Sequence, residues 1–270
     1  MFFKRKQLYE IGCALDRGIK RKNNPNQDAL IVLTSRGRRK LPTVLVLADG
    51  MGGYTGGEAA SQAVRDAFRE LYRKTKRIDN FLAFSTQAIQ AALEKMKKYA
   101  ARDANYQSMG STLVAVCFTP GSLSVVNVGD SRAYLFHQGA VRQVSFDHSF
   151  VAEAVRAGLL SAEEAAVHPK KNQLTQSITP RRTEIKPFYA QLPFEKNDVV
   201  LLCSDGLWGV VSESMIQSIV IELPVQHAAE KLVKVANSRG GPDNISVIIA
   251  RHAGAVPPAP SPSTTETLPG

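Results

Sequence analysis

The sequence predicts a layered α+β fold, and three observations lead to that prediction. Seven apolar runs of strand length are spread over most of the 270 residues. Two long segments with a helical period follow one another between residues 55 and 101, with no strand between them. Because helices do not alternate with every strand, a doubly wound parallel sheet is disfavoured.

The predicted strands are apolar runs that end in turns of Gly, Pro, Ser, Asn or Asp. They cover residues 29–35, 43–49, 111–118, 122–129, 132–137, 198–204 and 244–250. The residues FTPGS between the third and fourth runs are typical of a turn. These two strands are therefore expected to pair as a hairpin.

The predicted helices have apolar residues that recur every three or four positions. The first begins at TGGE, where Thr55 and Glu58 have the spacing of a capping box. The second extends from about residue 79 to residue 101. A shorter capped helix is expected from Ser161 in SAEE, and another over about residues 226–237.

The composition is that of a globular protein, with 44% apolar and 21% charged residues. No apolar run approaches the roughly 20 residues of a membrane-spanning helix. The start, MFFKRKQLYE, lacks the apolar region of a signal peptide. Three cysteines, Cys13, Cys117 and Cys203, lack metal-ligand spacing, so reduced thiols and a cytoplasmic location are expected.

The formal net charge is +10, and the basic residues are scattered in short groups. Aromatic residues make up 7% of the chain and are not interleaved with the basic groups, as a platform for single-stranded nucleic acid requires. The charge thus favours attraction of phosphorylated substrates over a specific nucleic-acid site. Nucleic-acid binding is kept as an alternative that only the charge suggests.

Five aspartates lie where an apolar strand meets a turn rich in Gly, Ser or Asn: Asp28, Asp49, Asp130, Asp205 and Asp243. One such aspartate is explained by turn capping, but five suggest a shared site. Carboxylate oxygens without His or Cys suit Mg²⁺ or Mn²⁺. Neighbouring glycines leave backbone carbonyls accessible. The pattern predicts a site for several cations, of the kind used in phosphoryl chemistry.

Six motifs together resemble one known family. They are RKNNPNQDA, ADGMGG, MGSTLV, VGDSRAY, SDGLW and GGPDNISV, and they occur in the order found in the metal-dependent serine/threonine protein phosphatases, the PPM or type 2C family. The resemblance covers about residues 8–251, and residues 147–178 resemble the flap segment of bacterial members. It implies a four-layer α-β-β-α sandwich, in which antiparallel helix pairs flank two mostly antiparallel sheets. Residues 1–253 would form this domain, and the Pro/Ser/Thr-rich residues 254–270 a disordered tail or linker.

The resemblance also implies the cation ligands. Asp49 would bridge two core cations, Mn²⁺ or Mg²⁺, and the carbonyl of Gly50 would bind one of them. Asp205 and Asp243 would complete this pair. Asp28 would act through a bound water, and Asp130 would hold a possible third ion.

Other roles implied by the resemblance concern the substrate and the surroundings of the ligands. Arg21 matches the arginine that binds the substrate phosphate, with Arg17 as the alternative because the segment after Arg21 is two residues longer than usual. Asn244 would orient a neighbouring ligand. Gln27 stands where many members have Glu, and Met51 where eukaryotic members have a histidine.

The function implied is hydrolysis of phosphoserine and phosphothreonine in proteins by a water between the cations, without a phosphoenzyme. Phosphorylated proteins, including a serine/threonine kinase, are the expected partners of a monomeric enzyme without a membrane segment in this chain. The alternative is a pseudophosphatase that binds metal or ligand without turnover. The presence of all five aspartates counts against it.

Overall fold

The computed structural model describes residues 8–35 and 40–252. The predicted tail over residues 254–270 lies outside the described residues. The described chain forms the strands β1 (Tyr9–Asp16), β2 (Asp28–Leu33), β3 (Val44–Met51), β4 (Gly110–Ser111), β5 (Leu113–Thr119), β6 (Ser122–Val128), β7 (Arg132–His137), β8 (Ala140–Gln143), β9 (Phe188–Pro193), β10 (Val199–Cys203) and β11 (Ile245–His252). Its helices are α1 (Tyr54–Lys74), α2 (Phe81–Arg102), α3 (Phe150–Arg156), α4 (Ala162–Val167), α5 (Asp205–Trp208), α6 (Glu213–Glu222) and α7 (Val225–Ser238).

The strands form two antiparallel sheets. One has the order β1-β11-β10-β7-β8, and the other has the order β2-β3-β5-β6-β9 with β4 paired to β3. Helices α1 and α2 pack together on the second sheet, while α6 and α7 pack on the first. The predicted four-layer α-β-β-α sandwich is therefore confirmed, as is the hairpin of β5 and β6.

Alternating side chains of the strands supply three apolar layers. On β3, Val44, Val46 and Ala48 face α1 and α2, whereas Leu45 and Leu47 face the space between the sheets. All five side chains are fully buried. A strand with both faces buried has no polar alternation, which explains why this segment is a continuous apolar run. None of the described helices is both long and apolar enough to cross a bilayer.

One predicted cap is wrong. Helix α1 begins at Tyr54, its N-cap is Gly53 with φ 83° and ψ 165°, and no side chain caps it. Because the glycine turn starts the helix before Thr55, Thr55 lies inside the first turn and cannot take the N-cap position. The other predicted capping box is confirmed: Ser161 and Glu164 bond reciprocally at the start of α4.

The sequence prediction omitted three strands longer than two residues, β1, β8 and β9, and the helices α3, α5 and α6. β8 and β9 are edge strands that alternate between exposed and partly buried residues. β1 contains a glycine and polar residues and is also an edge strand. Such strands lack the long apolar run that identifies a central strand.

Candidate functional site

Strand register brings the five aspartates to one end of the sandwich. Asp28 on β2 is the direct cross-strand partner of Asp49 on β3. Asp205 follows the end of β10, and Asp243 precedes the start of the antiparallel neighbour β11, so both lie at the same end of the other sheet. A pocket of about 620 Å³ is lined by Asp49, Asp130, Asp205 and Asp243. Asp28 is buried behind it.

Asp28 joins the two sheets. Its Oδ2 accepts hydrogen bonds from the hydroxyl of Ser204, at 2.8 Å, and from that of Ser246. Both serines are fully buried. Ser246 lies on β11 of the other sheet, and Ser204 directly follows β10 of that sheet. The other oxygen, Oδ1, is buried and has no hydrogen-bond partner among the described residues. An unpaired buried carboxylate oxygen is costly, so this atom is well suited to a cation or an ordered water.

The end of β3, where the chain turns toward α1, is held by contacts of its backbone, and the position of Gly50 requires glycine. The backbone N–H of Asp49 donates to Thr112 Oγ1 at 3.0 Å, and its carbonyl accepts from the N–H of Thr112 at 2.8 Å. Gly50 N–H donates to the carbonyl of Gln27 at 3.0 Å. A Cβ at Gly50 would lie 2.0 Å from the carbonyl oxygen of Gly57, so any side chain would displace the turn.

Asp28, Asp49, Asp130 and Asp205 hold protons more tightly than free aspartates. Burial, and then the charge of neighbouring carboxylates, raise the pKa of Asp28 and of Asp130 to about 7 and that of Asp205 to about 6. The carboxylates contribute because like charges oppose ionisation. Burial, and then the charge of Asp28, raise the pKa of Asp49 well above its usual range. A cation would relieve this repulsion.

The oxygen ligands fit Mn²⁺ or Mg²⁺ in type. In the described part of the chain, no three His, Cys, Asp or Glu side chains form a closed metal-binding group. One reason is that Asp243 Oδ2 pairs with Arg21 Nη2 at 2.9 Å. Asp28 Oδ1 and Asp205 Oδ1, by contrast, are buried without a hydrogen-bond partner among the described residues. The donor set therefore suits these cations in type, and its two unpaired buried oxygens are atoms that a cation or its bound water would satisfy.

Arg21 and Arg17 occupy different places. Arg21 ends a 3₁₀ turn, Ile19–Arg21, and lines the pocket beside Asp243. Arg17 lies outside the pocket lining, and its Nη1 donates to the carbonyl of Lys22 at 3.4 Å. Of the two arginines considered from the sequence, only Arg21 is within the pocket.

Asn244 and Gln27 connect the loops around the pocket. The contact of Asn244 with Asp243 comes from its backbone N–H, which donates to Oδ1 at 2.8 Å. Its side chain accepts from Gln27 N–H and donates to the carbonyl of Arg17, both at 2.8 Å. Gln27 Nε2 donates to the carbonyl of Gly53 at 2.7 Å. Both residues thus support the loops that carry the aspartates.

Several polar residues of the site were not identified from the sequence. They are Thr112, Ser131, Asn172, Ser177, Ser204 and Ser246. Small hydroxyl and amide side chains are common in turns, so their type alone does not indicate a site. For Thr112, Ser131, Ser204 and Ser246, the indication that sequence could have offered is their position within MGSTLV, GDSR, CSDG and NISV, and for Asn172 and Ser177 it is their position within residues 147–178.

Comparison with known proteins finds relatives that match most of the chain. A family model described as protein phosphatase 2C matches residues 17–238. The serine/threonine phosphatase stp of Listeria innocua is 33% identical over 242 residues, covering 88% of this chain and 93% of that protein. The protein phosphatase PhpP of Streptococcus pneumoniae is 35% identical over 243 residues, covering 89% of this chain and 96% of that protein.

Two solved structures share the fold over nearly their whole length. The catalytic domain of the serine/threonine phosphatase PstP, in complex with two manganese ions, has a TM-score of 0.77 and 32% identity, covering 90% of this chain and 97% of that chain. Stp1 from Staphylococcus aureus has a TM-score of 0.81 and 29% identity, covering 93% and 98%. The chain therefore belongs to the protein phosphatase 2C family of serine/threonine phosphatases.

Proposed function

We propose that this protein hydrolyses phosphoserine and phosphothreonine in proteins with Mn²⁺ or Mg²⁺ as cofactor. The observation that carries the proposal is the convergence of five aspartates, far apart along the chain, beside one arginine. The bound manganese of the related PstP domain supports the choice of cofactor.

The residues that would hold two core cations are Asp49, the carbonyl of Gly50, Asp205 and Asp243. Asp28 would contribute through a water, and Asp130 would take part in a third site. Bound divalent cations lower the pKa of water and neutralise phosphate charge, which makes hydrolysis possible near neutral pH.

The chain itself supplies binding and orientation. Arg21 presents two or more N–H donors in a plane, which matches the oxygens of a phosphate monoester. If Asp243 held a cation instead of its ion pair with Arg21, the guanidinium of Arg21 would be available to bind the phosphate. Gln27 and Asn244 keep the loops of Gly50 and Asp243 in place, so the ligands need little reorganisation.

The proposed reaction is direct attack of water on phosphorus, and the serine or threonine oxygen leaves with a proton from solvent. Neither cysteine nor histidine occurs among the described residues that line the pocket. Two cysteines, Cys117 and Cys203, are instead buried in apolar layers, and burial raises their thiol pKa. A cysteinyl or histidinyl phosphoenzyme is thus unsupported, and positioning with electrostatic stabilisation supplies most of the rate.

A peptide assay tests the proposal. The full chain is incubated with Mn²⁺ and matched phosphoserine, phosphothreonine and phosphotyrosine peptides, and released phosphate is measured. Release from the first two peptides is expected. Binding of phosphopeptide without release would instead support the pseudophosphatase alternative, and a duplex DNA gel shift at low salt would test the nucleic-acid alternative.

Replacement of Arg21 is expected to weaken phosphate binding. Arg21→Ala should lower kcat/KM for a phosphopeptide by roughly 10- to 100-fold, mainly through KM, because a charge-assisted hydrogen bond to phosphate contributes about 1.5–3 kcal/mol. Arg17→Ala is the matched control and should stay within about twofold, since Arg17 lies outside the pocket. Steady-state kinetics measure kcat and KM for both variants. Equal losses of kcat/KM in Arg21→Ala and Arg17→Ala would contradict the role proposed for Arg21.

Salt is expected to weaken attraction of phosphoproteins, including an autophosphorylated kinase as the kind of substrate proposed. The chain carries a net charge of +10. Raising ionic strength from about 0.1 M to about 1 M shortens the screening length from about 10 Å to about 3 Å. KM for an acidic phosphoprotein should rise several-fold, whereas KM for p-nitrophenyl phosphate should change less. If KM changed with salt for neither substrate, long-range electrostatic attraction would be excluded.

A further inference from the structure

A second cavity, of about 880 Å³, adjoins the pocket and lies between α3 and α4 on one side and Trp208 on the other. It shares Asp130, Asp205 and Asp243 with the pocket. At its wall, the guanidinium carbon of Arg132 lies 3.6 Å from the ring centre of Trp208. Neither Arg132 nor Trp208 has a role in the hydrolysis proposed above.

Trp208 contacts the loop that carries Asp130. Its Nε1–H donates to the backbone carbonyl of Asp130 at 3.0 Å. Trp208 is also the last residue of α5, which begins at Asp205. Trp208 thus connects the backbone of Asp130 to helix α5, which begins with Asp205. Both aspartates are proposed cation ligands.

Arg132 is held flat on the indole by its other contacts. Its Nε and Nη2 donate to Asp147 Oδ2 at 2.9 and 2.7 Å, and its Nη1 donates to Tyr134 Oη at 3.1 Å. Asp147 also accepts from Gln143 Nε2 at 2.7 Å. Because a guanidinium bound on two edges has a fixed plane, the stacking on Trp208 is fixed as well.

Asp147 lies at the base of the segment that contains α3 and α4. The next residue, His148, donates its N–H to the carbonyl of Gly129 at 2.9 Å, and its Nδ1 accepts from Gly129 N–H at 3.2 Å. On the return of the segment, Thr175 N–H donates to the carbonyl of His148 at 2.9 Å. The start of the 150–173 segment is therefore bonded to Gly129, which precedes Asp130, and its end is bonded to His148 at that start.

We propose that Arg132 and Trp208 are positioning residues that fix the spacing of Asp130 and Asp205 and couple it to the base of the 150–173 segment. The inference rests on the proposed function, in which these two aspartates bind cations. Neither Arg132 nor Trp208 needs to touch the substrate. Their effect passes through the Asp130 carbonyl and through α5.

Conservative variants separate positioning from packing. Trp208→Phe keeps an aromatic ring and removes the N–H donor, while Arg132→Lys keeps the charge and removes the planar two-edged contact. Tyr72→Phe is the matched control, because Tyr72 lies near the C-terminal end of α1, outside the lining of both cavities, and its Oη donates to the carbonyl of Pro42 at 2.9 Å. Each variant is made in the full chain, and Mn²⁺ binding is measured by calorimetry on metal-free protein.

The expected result is a loss of Mn²⁺ affinity of about 10-fold in Trp208→Phe and Arg132→Lys, the lower end of the range for residues that orient metal ligands. The kcat for a phosphopeptide should fall while KM changes by less than about twofold, as expected for a group that does not bind substrate. Tyr72→Phe should match the wild type in both. In Arg132→Lys, the fluorescence of the single tryptophan, Trp208, should respond only at a higher Mn²⁺ concentration than in the wild type.

Wild-type Mn²⁺ affinity and kcat in both variants, with or without a lower melting temperature, would overturn the proposal. If the wild-type chain neither binds Mn²⁺ nor hydrolyses phosphopeptides, the proposed function fails instead. Hydrogen exchange of the metal-free chain then decides the positioning role. Faster exchange at both residues 129–132 and 146–150 in Trp208→Phe supports the coupling, and unchanged exchange overturns it.

Discussion

Asp205→Asn is expected to lower kcat/KM for a phosphopeptide by at least about 100-fold in the presence of Mn²⁺, the scale of losing one catalytic electrostatic element. Asparagine has nearly the same shape as aspartate but lacks the negative charge that a divalent cation requires. Asp205 lies beside Asp49, Asp130 and Asp243 in the pocket, and its Oδ1 has no hydrogen-bond partner among the described residues. Phosphate release under first-order conditions measures the effect.

The melting temperature separates this effect from unfolding. Burial raises the folded-state pKa of Asp205 to about 6, above its ordinary value of 3.8. The ionised carboxylate therefore destabilises the metal-free fold progressively as pH rises through about 6, and asparagine removes that contribution. At pH 7.5, metal-free Asp205→Asn should melt no lower than the wild type.

A matched control exists on α1. Asp66→Asn also replaces a carboxylate by an amide, but Asp66 pairs with Arg65 and Arg69 on α1 and lies outside the pocket lining. Its activity should stay within about twofold of the wild type. Retention of full activity by Asp205→Asn, or equal loss in both variants, would contradict the role proposed for Asp205.

Removal of divalent cations is expected to reduce phosphate release to the uncatalysed background, and added Mn²⁺ should restore it. The physical reason is that the pocket holds four carboxylates and a fifth lies behind it, with no cysteine or histidine among its described lining residues. The chain is therefore expected to supply charge and orientation, and a water activated by bound cations is expected to be the nucleophile. Dialysis against a chelator, followed by titration with Mn²⁺ and with Mg²⁺, provides the measurement.

Cation binding should also stabilise the fold. A ligand that binds only the folded chain at 100 times its Kd adds about 2.7 kcal/mol to the free energy of unfolding. The melting temperature should thus rise with Mn²⁺, and the rise should be smaller in Asp205→Asn. Lower pH should reduce this rise in melting temperature, because protons and cations compete for carboxyl groups whose pKa is raised to about 6 or 7. Full activity after complete chelation would exclude the metal-dependent reaction.

The central strands and long helices could be predicted because their information is local. The run VLVLAD forms β3 since every side chain of it up to Ala48 is buried on one face or the other. Residues of β9 alternate between exposed and partly buried, so no apolar run indicated that strand. The N-cap predicted at Thr55 is wrong because two neighbouring glycines with positive φ, Gly52 and Gly53, place the N-cap at Gly53, two residues earlier.

The sequence by itself determined that five aspartates end or begin apolar strands, and it indicated the family, because strand, turn and motif are read within a few residues of one another. Only the tertiary structure decided which side chains meet. Examples are Asp28 with Ser204 and Ser246 of the other sheet, Arg21 rather than Arg17 beside Asp243, and Arg132 on Trp208. The physical reason is that these partners are brought together by the packing of two sheets and by strand register. No pattern of neighbouring residues in the sequence predicts the contact between Arg21 and Asp243, which are 222 positions apart.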